Sequence, residues 1–181
     1  MKRSFVFYLG IGLTFLFLSA SCLHAEKKKA AKKLYVNNFY GFSLECPKGW
    51  KIVENYSSGG MHAIVAFGGP KINGFTVSVI VTVENAQGQT LEGYVSVAKQ
   101  NQQQYFTSYS LVKEGRLNIG SKNAYFIQIS HDTTGILTQQ KIVLFKKGSN
   151  VFSVGFTALP ESFDKYLVDF DKSVSTFKFL K

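Results

Sequence analysis

The chain has 181 residues, 45% of them hydrophobic and 15% aromatic, with 3 Pro and 2 Cys. That is the composition of about one globular domain and excludes a disordered, collagen-like or disulfide-scaffold chain. The net charge of +10 is concentrated near the N-terminus: residues 26–33 hold five lysines against one glutamate, whereas residues 34–181 hold 14 basic and 10 acidic groups. The folded part is only mildly basic, which, with export, argues against a nucleic-acid partner.

Lys2 and Arg3 precede the apolar run 5–18 (FVFYLGIGLTFLFL), which gives way to Ser19, Ala20 and Ser21. This is the layout of a secretory signal peptide over residues 1–25. The run is shorter than the roughly 20 residues that cross a bilayer, although extension to Leu23 would make an uncleaved anchor. Cys22 follows the small residues where a bacterial lipoprotein places its lipid-modified cysteine. The segment 18–22 (LSASC) resembles that motif with its leucine one place too far upstream. Two readings stand side by side: cleavage before Cys22 with lipidation there, or ordinary cleavage after Ser21 or Ala25. Residues 26–33 (EKKKAAKK) lack hydrophobic periodicity and read as a solvated basic tether. Near a membrane its lysines would face anionic headgroups.

From residue 34 onward strand signals dominate. Segments 41–45, 51–55, 63–68, 75–83, 110–117, 124–131, 137–146 and 151–158 read as strands, with breakers at Pro47 and Gly49 and over 57–60, 69–74 and 147–150. Phe75, Val77, Val79, Val81 and Val83 alternate with Thr76, Ser78, Ile80 and Thr82 and predict a central strand. Leu91, Tyr94, Val95 and Ala98 share one side of a helix from 91 to about 105 that Thr90 can cap. The end of that helix, 100–104 (QNQQQ), reads as solvated on all faces. Phe163, Leu167, Phe170, Val174 and Phe177 recur at helical spacing behind Pro160 and Glu161, which suit a first turn. This order predicts a single α+β domain over 34–181, an antiparallel sheet covered by helices.

Few residues offer chemistry. Cys46 continues the face of Tyr40, Phe42 and Leu44 and precedes Pro47, so it reads as a buried small hydrophobe, not a reactive thiol. With His24 in the leader or tether, His62 and His131 are the folded imidazoles; His131 extends the face of Tyr125, Ile127 and Ile129, and Asp132 points to the opposite face. A metal site would have to draw on His62, His131 and Asp132, and it needs three or four convergent ligands. No phosphate-binding, dinucleotide, zinc-protease or nucleophile-elbow motif is present, so no cofactor is expected and catalysis is not. Gly59, Gly60, Met61, Gly69 and Lys71 lie in two glycine-rich stretches that read as binding loops.

The segment 37–50 (NNFYGFSLECPKGW) resembles the opening of PsbP-like domains, an aromatic-Gly-Phe strand followed by Pro-x-x-Trp. Segment 151–156 and a closing helix ending in Val174-Ser175-Thr176-Phe177 are similar to the end of that family, and the likeness covers about 35–179. The resemblance implies an α-β-α sandwich with no known catalytic activity. In photosynthetic members it implies an extrinsic photosystem II subunit that supports calcium and chloride retention, and in cyanobacterial relatives a lipid anchor, which fits Cys22. Segment 133–147 lacks the Arg-His-containing stretch typical of photosynthetic members, a departure that counts against the photosystem role without deciding it, and no site residue is carried over.

Together these readings predict an exported protein, periplasmic or anchored to the outer face of a bacterial membrane. It would be a non-enzymatic accessory or binding protein that meets the membrane through its lipid anchor and basic tether and acts on an envelope protein or complex through protein contacts. The alternative is a periplasmic small-ligand or metal-binding protein with a pocket near His62, His131 and the aromatics.

Overall fold

The computed structural model describes residues 33–181 except 59, 60 and 134. The leader, Cys22, His24, most of the basic tether, Gly59 and Gly60 lie outside the described residues. The elements in chain order are β1 (Lys33–Asn37), β2 (Phe42–Cys46), β3 (Lys51–Ser58), β4 (Met61–Ile72), β5 (Phe75–Asn85), α1 (Leu91–Tyr105), β6 (Thr107–Ile119), β7 (Lys122–Thr133), β8 (Ile136–Lys147), β9 (Asn150–Ala158), α2 (Pro160–Ser175) and β10 (Lys178–Phe179). The class is α+β, dominated by antiparallel sheet.

Seven strands form one sheet in the order β3-β4-β5-β9-β8-β7-β6, and β1-β2-β10 form a second, smaller one. After β5 the chain crosses through α1 to the far edge of the large sheet. There β6, β7, β8 and β9 run back as a meander until β9 pairs with β5. The predicted central strand is thus an interior strand. Both its faces are buried, including Ser78 and Thr82 on the side that alternation left polar.

Adjacent residues of β8 define the two faces, because side chains alternate along a strand. Val143 and Phe145 join a core with Tyr35, Phe42 and Leu44 of the small sheet and Phe163, Phe170 and Val174 of α2. Ile142 and Leu144 join the other core with Val95 and Ala98 of α1. Each face therefore carries one helix, and the small sheet shares the face of α2. The expected cover is only partial: β6 is exposed along most of its length.

Local chemistry sets the helix ends. Thr90 Oγ1 accepts from Gly93 N–H at 3.1 Å, as the cap reading predicts. Pro160 occupies the first turn of α2, but that helix ends at Ser175, so Phe177 lies beyond it. Phe177 instead stacks on Phe145 at 4.3 Å and on Phe42 at 5.7 Å between ring centroids. The polypeptide thereby fastens its C-terminal segment into the core.

The glycine stretch after residue 68 is not a loop. β4 runs through to Ile72 with an irregular register between Gly68 and Lys71, and the turn is confined to Asn73 and Gly74. Gly69 lies under the Trp50 indole, where a Cβ would sit 2.7–2.9 Å from three ring carbons. Trp50 is 9% exposed and has little room to retreat. Gly69→Ala is accordingly expected to destabilise the domain by about 1–3 kcal/mol, the usual cost of overpacking, read as a lower urea midpoint at unchanged slope.

Candidate functional site

The residues singled out in the sequence are scattered. His62, the second residue of β4, lies on the surface, where its Nδ1 is 2.8 Å from Ser57 Oγ across the β3–β4 hairpin. His131 is on β7, four strand spacings across the sheet, a lateral offset that alone is about 19 Å. The two imidazoles share no site. Asp132 Oδ1 accepts from Gly135 N–H at 2.7 Å and so holds the β7–β8 turn. Among the described residues no group of three or more His, Cys, Asp and Glu side chains could hold a metal ion. Gly69 and Lys71 belong to β4 instead of a binding loop, and Met61 begins the same strand.

Cys46 is buried as read, and burial pushes its thiol up to about 11. Its Sγ lies 3.7 Å from the Trp50 carbonyl oxygen. A protonated thiol in that setting is a packing group, not a nucleophile.

A polar interior beneath α1 escaped the sequence reading. Gln102, in the stretch expected to be solvated, is only 2% exposed, and neither its amide nitrogen nor its oxygen has a hydrogen-bond partner. Tyr109 Oη and Gln140 Oε1 are likewise buried without partners, although Gln140 Nε2 donates to Thr157 Oγ1 at 3.2 Å. Close by in the chain, Phe106 stacks on His131 with 3.9 Å between centroids. His131 is fully buried, and burial lowers its pKa to about 4, so the ring is neutral at pH 7. The signal was available: Gln102 falls four residues after Ala98 and seven after Val95, on the apolar stripe of the helix.

A buried amide without partners costs about 1–3 kcal/mol. Gln102→Met keeps the straight side chain and removes both polar atoms, so it is expected to raise stability by about that amount. An unchanged or lower denaturation midpoint would contradict this account of the α1 interface.

Ionic contacts hold α1 against the edge of the sheet. Lys99 Nζ donates to both Glu114 carboxylate oxygens at 2.8 Å, and this holds the Glu114 carboxyl below the usual range. Arg116 meets Glu92 at 3.0 Å on the surface. Nearer the N-terminus of α1, Tyr94 Oη donates to Glu84 Oε2 at 2.7 Å, and burial raises both groups' pKa values.

The most distinctive surface lies beyond that helix. Tyr105, Leu111, Val112, Ile136 and Leu137 are 37–53% exposed. Thr107 pairs with Asp132, which pairs with Leu137, so these residues lie toward one corner of the sheet formed by β6, β7 and β8, where Leu111 and Ile136 take the face of Ile129 and His131 and Leu137 takes the opposite face with Asp132. Register irregularities between Thr107 and Ser110 and between Leu111 and Lys113 fall on this stretch of the edge strand β6. Bulges also blunt simple edge-to-edge strand addition, leaving side chains, not backbone groups, as the contact.

No family model matches the chain, and no curated protein matches its sequence. Solved structures do. The cyanobacterial PsbP, CyanoP, of Synechocystis sp. PCC 6803 superposes with a TM-score of 0.63 at 15% identity, covering 88% of this chain and 98% of its own. LpqN, a Mycobacterium tuberculosis protein involved in cell envelope biogenesis, superposes with a TM-score of 0.59 at 10% identity, covering 86% of this chain and 87% of its own. At such identities the likeness is one of fold.

Proposed function

We propose, from the PsbP-like fold that this chain carries, that it is an exported, membrane-associated accessory protein that acts without catalysis through contacts with an envelope protein or complex. The observation that carries this reading is the apolar corner of β6, β7 and β8. Exposed apolar groups gathered at one place on a folded domain mark interaction sites more often than scattered ones do. A fold shared with an envelope-biogenesis protein and a cyanobacterial PsbP is consistent with it. The N-terminal segment supplies the address, and Cys22 is the position proposed for lipid.

Fractionation of cells making the full chain tests the address. The proposal expects the protein with membranes and an N-terminal peptide starting at Cys22 with added lipid mass. Recovery in the cytosol with the leader intact would overturn it. The double change Val112→Asp with Leu137→Asp tests the corner, because both residues are half-exposed and the fold should tolerate it. Partner recovery from solubilised envelope should fall at least tenfold, while the denaturation midpoint stays within error.

A further inference from the structure

The proposed reading leaves unanswered which face of the domain meets the membrane. β1 is an edge strand of the small sheet and the first described element after the basic tether. Tyr35 points into the core at 5% exposure, so its neighbours Leu34 and Val36 point out and are 58% and 46% exposed. In the turn that follows, Phe39 is 87% exposed and rests edge-on against Tyr40. Three large apolar side chains thus stand on one hairpin with nothing of the described domain over them.

Cations border this hairpin. Lys178 lies across the small sheet from Val36, both of them paired to Ser43 of β2 and so on the same face, while Lys33 begins β1 on the Tyr35 side, where the basic tether enters. Lys147 Nζ donates to the Leu180 carbonyl at 3.0 Å beside Gly41, and Leu180 N–H donates to Gly41 O at 2.8 Å. Those contacts bring Lys181 to the same turn. All four lysines are exposed. Glu45, opposite Leu34, is the acidic residue of the small sheet.

We infer that this hairpin, with Leu34 and Val36 on the face of Lys178, Phe39 in its turn, and Lys33, Lys147 and Lys181 at its margins, docks onto an anionic bilayer surface. The inference rests on the proposed membrane association. Two observations select a bilayer as the occupant. Charge is complementary to anionic headgroups, and apolar groups interleaved with lysines match the interfacial zone, where the former sink and the latter stay with phosphates. Chain length does the rest: eleven peptide steps from Cys22 cannot hold Lys33 more than about 40 Å from an anchored end. Tyr35 meets Phe67 of β4, five strands from β6, so docking by this face leaves the apolar corner free for a partner.

The test uses the full chain reconstituted into vesicles of phosphatidylglycerol and phosphatidylethanolamine, or of phosphatidylcholine alone. A Phe39→Trp variant reports depth, since Trp50 is buried and adds a constant background. Docking predicts blue-shifted emission quenched by acyl-brominated lipid on anionic vesicles. Each lysine at the surface strengthens docking by about fivefold, so quenching should be weaker on neutral vesicles and at high salt. Adding Leu34→Ser and Val36→Ser should cut quenching several-fold while the chain still sediments with the vesicles.

Unquenched emission from protein that does sediment overturns the docking face and leaves membrane association standing. Protein that stays in the supernatant overturns both. A blue shift without vesicles that grows with protein concentration assigns the face to a second copy of the chain and overturns the bilayer.

Discussion

Phe177→Ala is expected to cost about 3–5 kcal/mol of stability, the range for deleting a buried aromatic ring. The ring is 1% exposed and contacts four others: it stacks on Phe42 and Phe145 and meets Phe152 and Phe179 edge-on. Those partners come from β2, β8, β9 and β10, so one side chain joins both sheets to the C-terminal segment. Its loss removes ring–ring contacts and leaves a cavity that flat neighbouring rings fill poorly. For a domain of this size that should lower the melting temperature by about 10 °C. Val168→Ala is the matched control on α2, since that side chain is 53% exposed and its truncation should stay within about 0.5 kcal/mol. Equal effects of the two changes would refute the packing described for the C-terminal segment.

The second large effect is a loss of stability in mild acid that traces to His131. The unfolded chain protonates this imidazole near pH 6.5, whereas burial holds the folded pKa at about 4. Between those values the unfolded state binds more protons, so stability falls as pH falls, and below about 4 the contribution levels off. From pH 7 to pH 4 the loss amounts to about 3 kcal/mol. Asp132 pulls the ring the other way, as the lesser influence. Other groups also titrate in this window. The raised Glu84 carboxyl takes up its proton more readily when folded and offsets part of the loss, and the lowered Glu114 adds to it at the acid end. The comparison with His131→Gln isolates the imidazole: denaturation at pH 7, 5.5 and 4 should show a much shallower acid slope in the variant. Parallel slopes would mean that His131 can be charged inside the fold.

Most of the large sheet was legible because alternation reports which face of a strand is buried. Phe75 to Val83 displayed it plainly, and so did Tyr125, Ile127, Ile129 and His131 on β7. What alternation cannot report is depth. His131 sat on the correct face, but its full burial, with Phe106 from the end of α1 stacked on the ring, depends on packing distant in sequence. Gln102 was misjudged because a run of amides looks solvated, while the helix stripe and not residue polarity decides which of them is turned inward.

Other elements depend on partners distant in sequence. β1 contains Lys33, the last residue of the basic run, and is defined by its pairing with β2. β10 has two residues and no pattern of its own. Gly69 carried a true signal that was read as a loop: the glycine is needed for close approach of Trp50, not for a turn. The apolar corner was invisible for a related reason. Leu111 and Val112 look like core residues, but both are exposed on an edge strand whose register is irregular between Leu111 and Lys113.

The central claim, that this protein works by contact with an envelope component, is tested most directly by lysine-reactive cross-linking in intact cells followed by mass spectrometry. Lys113 is exposed between the apolar corner and the rest of β6, while Lys165 and Lys172 on α2 serve as internal controls. The account predicts a reproducible envelope partner linked through Lys113 and lost from the Val112→Asp, Leu137→Asp variant. Links confined to the chain itself and to lipid, unchanged in that variant, would contradict it.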